Sequence, residues 1–372
     1  MSDLVFTGDV CLGDRLPTVD AALLDILRNS EFACCNFEAP VLEQVPSPAP
    51  KAGPSLSQRP HAPDTLKDWG FNGFALANNH IMDYGVAGLA ATIDQLGQDQ
   101  VFGAGSNADK AYAPRVLEID GRQIALLAFA EAQFGVIDHR HTGAGYAWVN
   151  HPRARAMIRD CGDQYDFVVV QVHGGLEMLD VPLPEWRATY RELVSLGADL
   201  VIGHHPHVLQ GVEYFEGKPI YYSLGNLYLR TMLPGEGGLV GVTIEGDELK
   251  TAFRTVRSTV DSISIGSEAE SREQLELLSS RLDDGYEAAV AAACQQFWGE
   301  TYAGYFERAV LGLGTSPGWR GLKGMMRRWA SSIRNPARVA TENHLLLIHN
   351  LRIESHRWAI DRALSDRVEQ DA

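Results

Sequence analysis

The sequence lacks the marks of a secreted, membrane-spanning or nucleic-acid-binding chain. It holds five cysteines in 372 residues, Cys11, Cys34, Cys35, Cys161 and Cys294. The number is odd, one pair is adjacent, and no disulfide or zinc-ribbon spacing is present, so a cross-linked scaffold is excluded and a reducing compartment is expected. Apolar runs are short, and none approaches the ~20 residues that span a bilayer. The opening Met1-Ser2-Asp3-Leu4-Val5-Phe6 enters a strand at once and leaves no room for a charged and then apolar leader, so a cytoplasmic location is expected. Basic residues are outnumbered, 32 Lys and Arg against 48 Asp and Glu, for a formal net charge of −16. That balance argues against nucleic acid as a partner of the whole chain. Acidic residues are in turn missing from Arg308 to Thr341, where seven Arg or Lys stand without one.

What is present suffices for a large core in one big domain or two ordinary ones, with 45% of residues hydrophobic. The chain is organised around Gly203-His204-His205-Pro206-His207, which directly follows the apolar run Ala198-Asp199-Leu200-Val201-Ile202. A short apolar run punctuated by Gly and Pro reads as a buried strand opening into a loop. Alternate residues of an extended segment point the same way, so His205 and His207 are expected to face one point and His204 another. Two converging imidazoles suit Zn, Mn or Fe. The plain alternative is that they cap a loop by hydrogen bonding, and four other stretches of the same kind weigh against it.

Taken in order, Leu4-Val5-Phe6 is a strand delivering Gly8-Asp9, with Asp9 either a site carboxylate at a carboxyl-end loop or a turn residue. After a helix from Val19 to Arg28, Phe32-Ala33-Cys34-Cys35 delivers Asn36-Phe37-Glu38, where Glu38 is either a ligand or a helix cap. Residues 44–63, rich in Pro, Ser and Ala, form a long loop of the kind that carries function. A strand at Phe74-Ala75-Leu76 ends in Asn78-Asn79-His80, ahead of a helix from Gly85 to Leu96 for which Asp83 reads as a cap. Val116–Ile119 and Ile124–Phe129 form a hairpin about Asp120-Gly121-Arg122. Phe167–Val172 delivers His173-Gly174-Gly175, and Ile220-Tyr221-Tyr222-Ser223-Leu224-Gly225-Asn226 and Leu239–Ile244 add further strands.

From about Gly266 the pattern turns helical, with helices expected over Gln274–Phe297 and Asn343–Leu364. The division is therefore residues 1–258 as an α/β domain and 266–372 as a helical region. Between those helices Trp319-Arg320-Gly321-Leu322-Lys323-Gly324-Met325-Met326-Arg327-Arg328-Trp329 interleaves basic residues with Trp and Met. It reads either as an attachment to an anionic surface, membrane or polymer, or as a solvated helix with Trp and Met turned inward.

Five strand ends thus each deliver metal-competent side chains, and the pieces resemble the CapA family of bacterial capsule (poly-γ-glutamate) synthesis proteins. The matching motifs are Thr7-Gly8-Asp9, Asn36-Phe37-Glu38, Leu76-Ala77-Asn78-Asn79-His80 with Asp83-Tyr84-Gly85, His173-Gly174, Gly203–Gln210 and Tyr222-Ser223-Leu224-Gly225-Asn226. The resemblance runs from about Leu4 to Leu229. It implies the fold of the calcineurin-like metallophosphoesterases, an α/β sandwich flanked by helices. It also implies two divalent ions, Mn, Fe or Zn. Carried across, Asp9, Glu38 and His207 hold one ion, and Glu38, Asn79, His173 and His205 the other, with Glu38 bridging. His80 is then the proton donor to the leaving group, and Asn36, Asn78, His204 and Asn226 are expected at the substrate.

The chain departs from the pattern at Cys11, where the phosphoesterases carry a histidine, and at Gly174, where the capsule proteins usually carry Trp. Cys11 is either a soft-metal ligand or a packing residue, and packing is the expectation. The resemblance implies a hydrolase of phosphoesters or polymer amide bonds acting on a small molecule or an anionic polymer. The alternatives are a non-catalytic accessory of a polymer synthesis or export complex, and an intracellular phosphatase unrelated to capsule.

Overall fold

A computed structural model of the chain describes residues 2–43, 47–304 and 336–371. Two compact units are resolved, Met1–Pro48 with Ser55–Tyr286, and Ala49–Pro54 with the described residues from Glu287 onward. The basic segment Trp319–Trp329 lies outside the described residues.

The first unit is the expected α/β architecture, built on two large sheets. At the middle of one sheet Leu4–Cys11 lies between Phe32–Phe37, parallel to it, and Gly235–Glu245, antiparallel to it. Gly73–Ala75 and Val101–Phe102 extend the parallel side, while Glu248–Ser258, Ser262–Ile265 and Thr18–Val19 extend the other. The second sheet runs in the order Val212–Phe215, Lys218–Tyr221, Leu200–His204, Phe167–His173, Arg122–Ala130, Arg115–Ile119. Both central strands are buried from end to end, Leu4–Cys11 and Phe167–His173, and are largely apolar because both of their faces are covered. Phe6, Cys34, Phe74, Val169 and Ile202 belong to one continuous core between the layers. Across that core the Gln171 amide meets the Cys34 sulfur at 3.4 Å.

The Arg115–Ile119 and Arg122–Ala130 hairpin turns at Asp120 and Gly121, with φ of +50° and +76°, the primed geometry that follows the right-handed strand twist. The long strand Glu248–Ser258 has no apolar run to mark it; its signal is alternation, with Leu249, Thr251 and Phe253 less exposed than their neighbours. The expected helix over Gln274–Phe297 is two helices, Glu268–Ser280 and Tyr286–Phe297, parted near Gly285 at φ +72°. The first begins in a Ser267–Glu270 capping box and packs on its own unit, where the Ser271 hydroxyl accepts the Thr255 N–H at 2.9 Å. In the second unit the helices Pro336–Arg352 and Glu354–Asp371 meet at Ile353, inside the stretch expected to be one helix. The Gln295 amide of that unit donates to the Ala363 carbonyl at 2.8 Å.

Candidate metal centre

Strand register brings the expected residues level. In the first sheet Asp9 stands opposite Asn36 on one neighbouring strand and Asn226 on the other. In the second, His173 stands opposite His204 and Ala130. All these strands run parallel, so their carboxyl ends open on one rim, where α/β folds place their ligands. Gly8 permits the approach: a Cβ there would lie 2.2 Å from the Gly225 carbonyl oxygen.

Asp9 is fully buried and richly held. Its Oδ1 accepts the Asn36 amide at 2.8 Å and lies 3.2 Å from His204 Nδ1, and its Oδ2 accepts the His205 N–H at 3.2 Å and lies 3.2 Å from His207 Nδ1. Burial pushes its pKa up, but the His204 and His207 rings outweigh that and hold it well below the usual carboxylate range. Glu38 is the opposite case. It too is fully buried, yet neither carboxylate oxygen has a hydrogen-bond partner among the described residues. Its Oε1 lies 3.8 Å from His80 Nε2 and 3.9 Å from His207 Nε2, and burial pushes its pKa up to about 8. Asp9, Glu38 and His207 offer donor atoms all within 4.8 Å of one another.

A second set lies beside the first. His173 Nε2 is 3.0 Å from both Asn79 Oδ1 and His205 Nδ1. Metal–ligand bonds of ~2.1 Å at right angles set neighbouring donors about 3.0 Å apart, the separation each of these two pairs shows. Burial holds these two imidazoles neutral, as a metal requires: His173 is pushed well below its ordinary value and His205 down to about 4. Burial also pulls His207 down, but the Glu38 and Asp9 carboxylates outweigh it and push it up to about 10. The Asn36 amide spans the two layers, reaching His173 Nδ1 at 3.1 Å as well as Asp9. These distances, with Glu38 oxygens that accept no hydrogen bond, suit a divalent cation.

The histidines do not converge by the pleat. His205 and His207 have φ of +94° and +59°, so the chain leaves the extended conformation after His204 and turns both rings inward. Such backbone is costly for residues with a Cβ and gathers at functional sites.

Residues 3–231 match the model of the family described as bacterial capsule synthesis protein PGA_cap. The chain belongs to that family. It is 31% identical over 233 residues to the PGA biosynthesis protein CapA of Bacillus subtilis, covering 59% of this chain and 61% of that one. It is 33% identical over 208 residues to the capsule biosynthesis protein CapA of Bacillus anthracis, covering 54% and 51%. The chain thus spans between half and two thirds of the length of these relatives. A 5′-nucleotidase from Candida albicans superposes with a TM-score of 0.40 at 10% identity, covering 77% of this chain and 59% of the other.

The two departures from the family pattern have physical explanations. Cys11 is fully buried against Ala39 and Leu229, and burial, then the Glu38 charge, push its thiol up to about 12. It packs rather than faces the centre. At Gly174 a Cβ would lie 2.6 Å from the ring of Trp186, from the helix Pro184–Ser195. An indole therefore fills this wall, from another element.

Three residues expected at the substrate are engaged with other groups of the chain. Asn36 holds Asp9 and His173, Asn78 donates to the Phe37 carbonyl at 3.0 Å, and His204 reaches Gln171 Oε1 at 3.0 Å; all are buried. Asn226 meets His207 Nδ1 with its Oδ1 at 3.0 Å and lines a cleft of about 390 Å³ with Met178, His207, Met232 and Glu236.

Asp83 is no cap. Its carboxylate accepts from His80 Nδ1 at 2.7 Å, and the following helix, Gly85–Leu96, has Tyr84 at its N-cap and no side-chain cap. Sequence reasoning also passed over Glu131 and Glu177. Buried Glu131 lies 3.5 Å from His205 Nε2, and Glu177 shares a donor set with His205 and His207. Each is a single acidic residue a few positions beyond a strand end, and that position is the one signal either carries.

Proposed function

We propose that this protein is a metal-dependent hydrolase with a two-metal centre, acting on a phosphoester or an amide bond of a capsule-type polymer or its precursor. Glu38 carries the proposal. A buried carboxylate with no donor at either oxygen costs several kcal/mol, and a cation at each oxygen removes that cost. Asp9, Glu38 and His207 would hold one ion, and Glu38, Asn79, His173 and His205 the other; mixed nitrogen and oxygen donors suit Mn, Fe or Zn. When bound, such a pair brings the pKa of a shared water toward neutrality and offsets charge developing on the scissile group.

The remaining work falls to the chain. The Asp83 carboxylate takes the Nδ1 proton of His80 as a hydrogen bond, which turns Nε2 toward Glu38. A proton carried there is placed to pass to a leaving group. The cleft at His207 and Asn226 supplies an approach for substrate.

The test is metal content by plasma mass spectrometry on protein purified without an affinity metal. About two equivalents are expected in the parent and none in Glu38→Ala or His205→Ala. A parent that stays empty after reconstitution overturns the proposal and leaves a non-catalytic accessory role.

The setting belongs to the same proposal: cytoplasmic, with an anionic polymer or small molecule as substrate, no nucleic acid, and Trp319–Trp329 resting on an anionic membrane or polymer surface. Five buried cysteines without disulfides and a basic segment free of acids support it. Among the described residues no helix is long and apolar enough to cross a membrane. Replacing Arg327 and Arg328 together by Glu should weaken co-sedimentation with anionic vesicles roughly 10- to 100-fold and leave hydrolysis unchanged; unchanged co-sedimentation rules the contact out.

A further inference from the structure

We infer that Glu177 is a ligand of this metal centre, reaching a divalent cation from the solvent side of the His205 and His207 pair. The inference rests on the metal centre proposed above. It starts from a placement: one Glu177 carboxylate oxygen and one ring nitrogen each of His205 and His207 lie within 4.8 Å of one another. The two imidazoles are buried and Glu177 is exposed, so the carboxylate closes the group on its open side.

The loop is built to hold it there. Gly175 and Met178 bracket Glu177 with φ of +134° and +62°, and the Met178 N–H donates to the Pro206 carbonyl at 2.8 Å. Pro206 lies between the two histidines, so loop and histidine turn are fastened together. Left-handed backbone is costly for a methionine and persists where surrounding structure imposes it.

The centre also has a use for another donor. Asp9, Glu38 and His207 make three, and cations of this class take four to six. Cys11, two residues beyond Asp9 on the same strand, contributes none, because its sulfur is turned to the Ser57 carbonyl at 3.9 Å in an apolar nest with Ala39 and Leu229. Glu177 brings a donor from the opposite layer. No motif of the strand-end pattern includes it, because it sits four residues beyond His173 on a loop.

The experiment is a calorimetric Mn²⁺ titration of the full chain after chelator treatment, in the parent, Glu177→Gln, Glu38→Ala and, as an exposed acid elsewhere on the surface, Glu248→Gln. Glu177→Gln should bind Mn²⁺ at least about 10- to 100-fold more weakly at one site, since losing even an outer-shell partner has that effect. Its metal-free melting temperature should equal the parent's, and Glu248→Gln should titrate like the parent. Parent affinity and stoichiometry in Glu177→Gln, with binding lost in Glu38→Ala, would overturn the inference and leave the metal centre standing. A parent that takes up no Mn²⁺ would overturn both.

Discussion

His80 Nδ1 lies 2.7 Å from the Oδ2 of Asp83, and that same oxygen accepts the backbone N–H of Leu56 at 2.7 Å. One buried carboxylate therefore orients the candidate proton donor and ties the Pro- and Ser-rich loop to the site. With His80→Ala, kcat on any substrate turned over should fall roughly 10²- to 10⁴-fold, the usual worth of a positioned acid. Asp83→Asn should fall less and shift the acidic limb of the pH–rate profile, while both variants keep the parent's metal content. Loss of metal in His80→Ala would show the ring to be a ligand instead.

Glu38 predicts an unusual split between metal-free and metal-loaded stability. Glu38→Gln replaces a buried carboxylate lacking donors with a neutral group of the same shape. After chelation the variant should melt at or above the parent temperature. Added Mn²⁺ should stabilise the parent by about 2.7 kcal/mol at a hundred times its dissociation constant and leave the variant unchanged. Calorimetry with and without Mn²⁺ separates these, and a variant that melts several degrees lower when metal-free would refute the account of Glu38.

The Gly174 and Trp186 contact is steric and predicts a coupled pair. Gly174→Ala places a Cβ 2.6 Å from the indole ring and should cost about 1–3 kcal/mol by overpacking. In a Trp186→Leu background the same substitution should cost less, by a coupling of at least about 0.5 kcal/mol. Urea unfolding of the four proteins measures it; strictly additive effects would mean the backbone relaxes freely.

Glu213 sets an acid limit on folding. Burial pushes its carboxyl up, but hydrogen bonds from Arg187, Arg191 and Tyr222 outweigh it and hold the pKa at about 2, against an ordinary 4.5. A depressed carboxylate stabilises the fold above its unfolded pKa, and that stability is lost as the pH falls through the folded one. The parent's urea midpoint should therefore drop between about pH 4.5 and 2 by more than that of Glu213→Gln. Parallel curves would show that the Arg187 and Arg191 contacts contribute nothing.

The strand ends were legible because the same physics writes both halves of the signal: a strand covered on both faces must be apolar along its length, and a polar cluster at its exit has no packing reason to be there. Asp9, Glu38, His173 and His205 stand out for that reason. Asp83 did not, because an acid just before a helix looks alike whether it caps the helix or turns back to His80 three residues earlier. Glu131 and Glu177 are single loop carboxylates, and nothing local separates them from solvated ones. Asn36, Asn78 and His204 showed their polarity but not their hydrogen-bond partners, which other segments of the chain supply.

The sequence by itself determined the α/β strands and the polar groups at their ends, since apolar period, Gly and Pro punctuation and strand-end polarity are local properties; the sandwich came from the resemblance those motifs carry. Tertiary structure decided what local patterns do not contain. Register between parallel strands set Asp9 level with Asn36 and Asn226. A turn through positive φ, rather than the pleat, aimed His205 and His207. The approach of Trp186 made Gly174 necessary. The side chains about Asp9 gave it donors while Glu38, equally buried, received none. Partners for a carboxylate come from wherever the chain returns in space, and this chain brought four to one acid and no hydrogen bond to the other.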